Sequence, residues 1–497
     1  MVFNSWEFLA FFPIVAILYF VMPKKAKTVW LLIASYFFYV CWNPKYIVVL
    51  LFSTAVTYGA GLWLDYVDKK AAEEKKQKHK KLIIAGSCVI NLGILAFFKY
   101  SDFFFENLNL VLQKTAGISI SNPFDFVLPL GISFFTFQAI GYLIDVYRKD
   151  VEPERNIIRF ALFLSFFPKI IQGPIERSKG LLKEIREIPQ KTVWNYKRIT
   201  GGLILMLWGL FLKLVISDRL SSMVDMLFNK SSDYSTPMLW VGAIGFAIQL
   251  YCDFAGYSII AVGASKVLGL SIIDNFDTPY FSRSVKEFWR RWHISLSTWF
   301  RDYLYIPLGG NRVSTFRKYL NLMIVFLVSG IWHGAGWTFI IWGGLHGLFQ
   351  IIGELLKPAR KGVIKALQIK TDSHSHKIFQ TLFTSFLVVI AWVFFRATSL
   401  GQAVQYLKGM FTLHITKPIF NGLEQAPIEW VVLLISIIIL FAVSLIKYNM
   451  KMNLDEYLDK QSLWFRWIVL FILLFGLIIF GVYGPGFSAQ AFIYTQF

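Results

Sequence analysis

Residues 327–347 read LVSGIWHGAGWTFIIWGGLHG. The stretch is so apolar that the imidazole of His333 is the first ionisable side chain after Lys318 and Tyr319. An ionisable group within a membrane span is costly, and function is its usual reason for being there. Gly330, Gly334 and Gly336 strip side chains from around the ring, which permits close helix packing or lets a substrate approach it. The stretch joins two apolar runs, 319–333 and 336–356. Further runs long enough to cross a bilayer, or nearly so, lie at 6–22, 28–42, 46–64, 82–99, 126–146, 200–217, 238–262, 379–397, 430–447 and 463–483. At roughly 20 residues per span, they predict about twelve crossings in an all-α polytopic membrane protein. The short runs 28–42 and 319–333 predict tilted, broken or re-entrant segments.

Composition agrees. Of 497 residues, 56% are hydrophobic, 18% aromatic and 16% charged, whereas an ordinary soluble protein has roughly 25% charged residues. Mean hydropathy is +0.55. A water-soluble enzyme, a disordered chain and a disulfide scaffold are excluded. Fifty Lys and Arg against 30 Asp and Glu leave a net charge of +20, but the basic residues sit in short loops between apolar runs. Positive-inside topology accounts for that placement, and no nucleic-acid partner is expected. Lys24 to Lys27, Lys69 to Lys81, Arg148 to Arg159, Lys179 to Arg198, Arg283 to Lys318, Lys357 to Lys370 and Lys447 to Lys460 all become cytoplasmic if the N-terminus is outside. Segments 218–237 and 398–428 then face outward. The run 160–173, FALFLSFFPKIIQG, breaks the alternation and reads as a re-entrant or interfacial helix ended by Pro168 and Gly173–Pro174. The first apolar run lacks a basic leader and a small-residue cleavage site, so it reads as a retained span. Cys41, Cys88 and Cys252 each lie alone in apolar sequence and read as small core residues.

Of seven histidines, His79, His374, His376 and His414 lie in polar loops. His346 lies in a Gly-rich helix beyond His333 and carries less weight. His293 lies in SRSVKEFWRRWHISLSTWFRDYLYIPLGGNR (282–312), where Phe288, Trp289, Trp292, Leu296, Trp299, Phe300 and Tyr303 recur at three- and four-residue spacing. That pattern predicts an amphipathic helix at the cytoplasmic interface with His293 on its aromatic stripe. Arg290, Arg291 and Arg301 could hold donor phosphates, although positive-inside bias also explains them. A neutral imidazole in a water-poor site can take the proton from a hydroxyl as it attacks a thioester, with no metal required. No GxxxxGK[ST] loop, HExxH or GxSxG elbow occurs. Asp253 in YCDFAGYS is the main buried acid, either a packing group or a support for the site.

At His293 and His333 the sequence resembles a known family. WRRWHISLSTWFRDYLYIPLGGNR and GIWHGAGWTFIIWGGLHG are similar to the membrane-bound O-acyltransferase (MBOAT) superfamily, in its branch of bacterial alginate O-acetyltransferases. VFNSWEFLAFFPIVAILYF, LPLGISFFTFQAIGYLIDVYR, FFPKIIQGPIER, YCDFAGYSIIAVGASKVLGL and the closing FIYTQF extend the resemblance over essentially the whole chain. It implies one membrane domain over 1–497, with re-entrant and interfacial helices around a central tunnel and 283–318 as a cytoplasmic-side amphipathic or re-entrant segment. It implies that His333 is the family's intramembrane histidine, the general base or acyl-transfer residue, and His293 its second histidine near the same tunnel. Trp289, Trp292, Trp332 and Asp253 become candidates to support that site. The implied donor is a cytoplasmic thioester, acetyl-CoA. The implied partners are an extracytoplasmic SGNH-type acetyltransferase, the polysaccharide biosynthesis machinery and membrane lipid. The implied location is the bacterial cell membrane.

Alternatives differ in class. D-alanyl transfer to teichoic acid from a carrier-protein thioester uses the same two histidines. A transporter in which His333 gates or binds, or a scaffold for a polysaccharide synthase, needs no thioester chemistry.

Overall fold

The computed structural model describes residues 1–70, 72–124, 126–192, 194–413 and 427–483. His414 and the closing FIYTQF lie outside them. The described residues are helical with no strand. They divide into two compact units, Met1–Met206 with Ser258–Ile273, and Leu207–Tyr257 with Asp274–Phe497.

The first unit is built from α1 (Trp6–Val21), α2 (Lys27–Val40), α3 (Ile47–Lys70), α4 (Glu73–Ala116), α5 (Ile132–Tyr147), α6 (Ile157–Ser165), α7 (Phe167–Ile170), α8 (Lys183–Glu187) and α9 (Tyr196–Leu210), whose last turn belongs to the second unit. The Ser5 side chain caps α1 by accepting from the Phe8 N–H at 3.3 Å. Phe3, Phe8, Phe11, Phe38 and Phe167 then close an aromatic core around α1 and α2. The run 160–173 is buried throughout. Its break falls at Phe166 rather than at Pro168, because proline is tolerated in the first turn of a helix and here stands in the first turn of α7.

The second unit contains α10 (Asp218–Asn229), most of α11 (Thr236–Val267), α12 (Val285–Arg291), α13 (Ile294–Phe300), α14 (Thr315–His333), α15 (Trp337–Leu355), α16 (Lys357–Ala366), α17 (His374–Arg396), α18 (Leu400–Phe411), α19 (Pro427–Met450), α20 (Leu454–Asp459) and α21 (Leu463–Phe480). A π-helical turn over Phe211–Ser217 joins α9 to α10, so the helix continues to Asn229, into the segment 218–237 that the sequence pattern expects to face outward. Its charges are satisfied within the protein: Asp218 by Lys213 at 2.7 Å, and Asp225 by Arg396.

Among the described residues, eight helices are long and apolar enough to cross a membrane, and α1, α2 and α5 are shorter apolar helices. The chain is a multi-pass membrane protein. The twelve apolar runs correspond to those eight helices, the three shorter ones and α14.

α14 and α15 form a tight hairpin. A Cβ on Gly330 would stand 2.3 Å from the Phe339 carbonyl oxygen, and one on Gly343 2.3 Å from that of Phe326. A Cβ on Gly334 would run into the Phe339 ring, whereas Gly336 has ordinary room. Close helix packing therefore accounts for Gly330 and Gly334, with Gly343 as a third contact.

Candidate active site

All of the following lies within the second unit. The amphipathic helix expected within 282–312 is broken at Trp292–His293 into α12 and α13, and His293 adopts the left-handed conformation (φ 45°, ψ 54°). Tertiary bonds override the helical periodicity. Ile294 N–H donates to the Asn275 carbonyl at 3.0 Å, the Ser295 hydroxyl to the Asn275 side chain at 2.6 Å, and Asp277 N–H to the Arg291 carbonyl at 3.0 Å. The loop 274–278 thus pins the break open. Phe288, Trp289, Trp292, Leu296, Trp299 and Phe300 are buried, so the stripe is core.

The break turns the His293 ring toward α14. His293 and His333 are both buried, with ring centroids 6.4 Å apart and Trp332 beside each at 6.0 and 4.9 Å. Phe254 of α11 lies edge-on to His293 at 4.7 Å, and Trp342 and Phe395 lie edge-on to His333 at 4.9 and 5.5 Å. Removed from water, the His293 imidazole is pushed down to about 3 and is neutral at physiological pH. The two histidines singled out in the sequence thus share one aromatic box.

His346 joins the box from one turn beyond Trp342. Its Nδ1 accepts a hydrogen bond from the Trp289 indole N–H at 3.2 Å, which assigns the proton of a neutral ring to Nε2. That Nε2 and the indole nitrogens of Trp292 and Trp342 are buried with no hydrogen-bond partner among the described residues. Trp342 and Trp392 stack at 5.6 Å behind them. Trp392, Trp342 and Phe395 carried no sequence signal beyond composition, since aromatic residues are common throughout this chain.

The three arginines separate. Arg290 and Arg301 line a cavity of about 470 Å³ with Lys286, Trp289, Ile294, Leu296, Ser329 and Gln350. Its lining includes Ile294, next to His293, and Ser329, one helical turn before His333. Arg301 is paired with Asp302 at 2.7 Å. Arg291 is instead held by Asp277 at 3.1 Å and Glu287 at 3.0 Å and does not line the cavity.

Asp253 faces Lys213 at 2.7 Å, and Lys213 also meets Asp218 at 2.7 Å; all three are buried. Asp253 therefore sits in an ion cluster beside the Phe254 that packs on His293. Lys213 was legible in the run FLKLVIS by the same rule that selects His333, an ionisable group in an apolar span. Among the described residues, no group of three or more His, Cys, Asp or Glu is placed to hold a metal ion.

The model of the membrane-bound O-acyltransferase family, MBOAT, matches residues 153–400. That range holds His293, His333 and His346, the cavity and Lys213. The chain is 38% identical over 413 residues to the "probable alginate O-acetylase" of Azotobacter vinelandii, covering 83% of this chain and 78% of that protein. It is 36% identical over 444 residues to the peptidoglycan O-acetyltransferase of Helicobacter pylori, covering 83% and 80%. The teichoic acid D-alanyltransferase of Streptococcus thermophilus is 31% identical over 278 residues, covering 54% and 66%.

Proposed function

The chain belongs to the membrane-bound O-acyltransferase family, and on that premise we propose that His333 and His293 carry an O-acetyl transfer from cytoplasmic acetyl-CoA to an extracytoplasmic polysaccharide. The enzyme class, an O-acyltransferase of a multi-pass membrane protein, follows from membership and replaces the transporter and scaffold readings. The observation that carries the rest is the pair of buried imidazoles 6.4 Å apart beside a cationic cavity.

Lys286, Arg290 and Arg301 over an apolar floor suit the phosphates and the pantetheine arm of a CoA thioester. His333, in a site lined by indole and phenyl rings, takes the proton of the attacking hydroxyl as its oxygen bonds to the thioester carbonyl carbon. The tetrahedral adduct collapses, the C–S bond breaks, and the thiolate leaves with the proton that His333 returns. His293 stays neutral and positions the acyl group. Trp332, beside both rings, keeps water from the thioester. Asp253 acts through α11, holding Phe254 against His293.

The acceptor side is a polysaccharide reached through an SGNH-type partner and the biosynthetic machinery. The enzyme stands in the bacterial cell membrane with its N-terminus outside. D-alanyl transfer has weaker support, because that relative matches 54% of the chain rather than 83%. His333→Ala, at normal membrane level, is expected to abolish glycan acetylation and transfer from labelled acetyl-CoA by purified protein. Unchanged acetylation would overturn the assignment.

A further inference from the structure

Away from the histidines, the second unit carries an apolar groove of about 420 Å³ between α11, α17 and α19. Trp240, Ile248, Phe386, Val389, Phe441 and Ser444 line it. All three helices are candidate membrane spans, and large parts of the groove walls are exposed, Phe386 at 40% and Phe441 at 58%. A groove of this size and polarity at bilayer depth suits a hydrocarbon chain.

One end of the groove is charged. Phe281, in the groove lining, stacks on Phe441 at 5.6 Å and on Tyr448 at 5.1 Å. The Tyr448 hydroxyl accepts from Arg283 at 3.0 Å, and the Lys451 ammonium stands 4.8 Å from the Tyr448 ring. Two other cations there are already paired, Arg291 with Asp277 and Glu287, and Lys447 with Asp274 at 3.8 Å while it donates to the Phe276 carbonyl at 3.0 Å. Arg283 and Lys451 are exposed, and among the described residues neither the Arg283 guanidinium nor the Lys451 ammonium forms an ion pair; Glu287 accepts from the backbone N–H of Arg283 at 3.0 Å. Both belong to the basic segments expected at the cytoplasmic interface, where basic pockets between helices attract anionic headgroups.

We infer that this groove and its basic collar bind an anionic glycerophospholipid, one acyl chain along Phe386 and Phe441 and the phosphodiester between Arg283 and Lys451. Tyr251 and Tyr280 form part of the groove wall and pack on Trp292 at 6.3 and 6.2 Å. Trp292 precedes His293, so the lipid backs the aromatic box from outside. The inference does not depend on which donor or acceptor the enzyme uses.

The test is native mass spectrometry of the full-length purified protein with phosphatidylglycerol or phosphatidylcholine of identical acyl chains. Phosphatidylglycerol is expected to be retained at least about tenfold better. Arg283→Gln with Lys451→Gln should bring it down to the phosphatidylcholine level, at about fivefold per cation. Val389→Phe, which fills the groove, should lower retention of both lipids. Should Val389→Phe fail to fold, the double surface variant decides alone. Lys361→Gln with Lys365→Gln, exposed cations of α16, should leave retention unchanged. Equal retention of the two lipids by the native chain, an unaltered double variant, or an equal loss in the α16 control would each overturn the proposal. Displacement of the lipid by glycerol phosphate alone would do the same, since it would show a phosphate site that needs no groove.

Discussion

At the scale of single residues, the proposed site rests on an imidazole kept neutral by burial and a backbone held in a rare conformation. His293 has its folded-state value near 3, below the 6.5 of an exposed histidine. Between those values the unfolded chain binds a proton that the folded chain refuses, so stability is lost as pH falls below about 6.5. Asn accepts a positive φ better than other non-glycine residues, so His293→Asn keeps the break while removing the titration. We expect the drop in thermal midpoint between pH 7 and pH 5 to be smaller in His293→Asn than in the native chain. An identical drop would mean that His293 titrates normally. His293 was visible in the sequence as a residue on an aromatic stripe that points toward protein or acyl chain, but the backbone break that turns it was not. The break at 292–293 comes from Asn275 and Asp277, which lie far from any local pattern.

At the scale of elements, two junctions decide whether the histidines meet. The first is the α14–α15 hairpin, where Gly330→Ala would push a methyl into the Phe339 carbonyl and force the helices apart. Overpacking of this kind costs about 1–3 kcal/mol, and transfer activity should fall with it because His333 ends α14. Gly336→Ala, at an extended φ of −165° where a Cβ makes only ordinary van der Waals contacts at 3.6 and 3.7 Å, should leave both unchanged. Thermal midpoints and acetyl transfer of the two variants check this, and equal effects would refute the packing account. The second junction is Lys213, which ties the π-helical turn to α10 and α11. Lys213→Met leaves Asp218 and Asp253 buried without their cation, and such a loss costs about 3–5 kcal/mol. Adding Asp218→Asn and Asp253→Asn should recover part of the thermal midpoint. If the triple variant is no more stable than Lys213→Met, the ion cluster is not what holds the junction. The lysine was legible as an intruder in an apolar run. Its partners were not, because a π-turn brings residues 213 and 218 together at a spacing an ordinary helix does not.

At the scale of the whole molecule, the basic loops predict an orientation that chemical labelling can read. In a background with Cys41, Cys88 and Cys252 replaced by Ser, a cysteine at exposed Ser232 should react with an impermeant maleimide added to intact cells. One at Lys25 should react only after the membrane is opened. The reverse pattern would invert the topology and, with it, the side from which the donor arrives. The same orientation puts Arg290, Arg301 and Lys286 on the cytoplasmic side, where a CoA thioester is found.

By itself the sequence determined that this is a multi-pass helical membrane enzyme of the O-acyltransferase family, and it marked His333, because charge is so scarce in apolar runs that each exception is conspicuous. Motif and composition are local quantities and survive without coordinates. Only the tertiary structure decided that His293 turns toward His333, that Trp289 bonds His346, that Arg291 leaves the cavity to Arg290 and Arg301, and that Asp253 answers Lys213. Each of those depends on side chains brought together from distant segments. Burial and backbone hydrogen bonding outweigh the local helical preference there, and no window of neighbouring residues contains that competition.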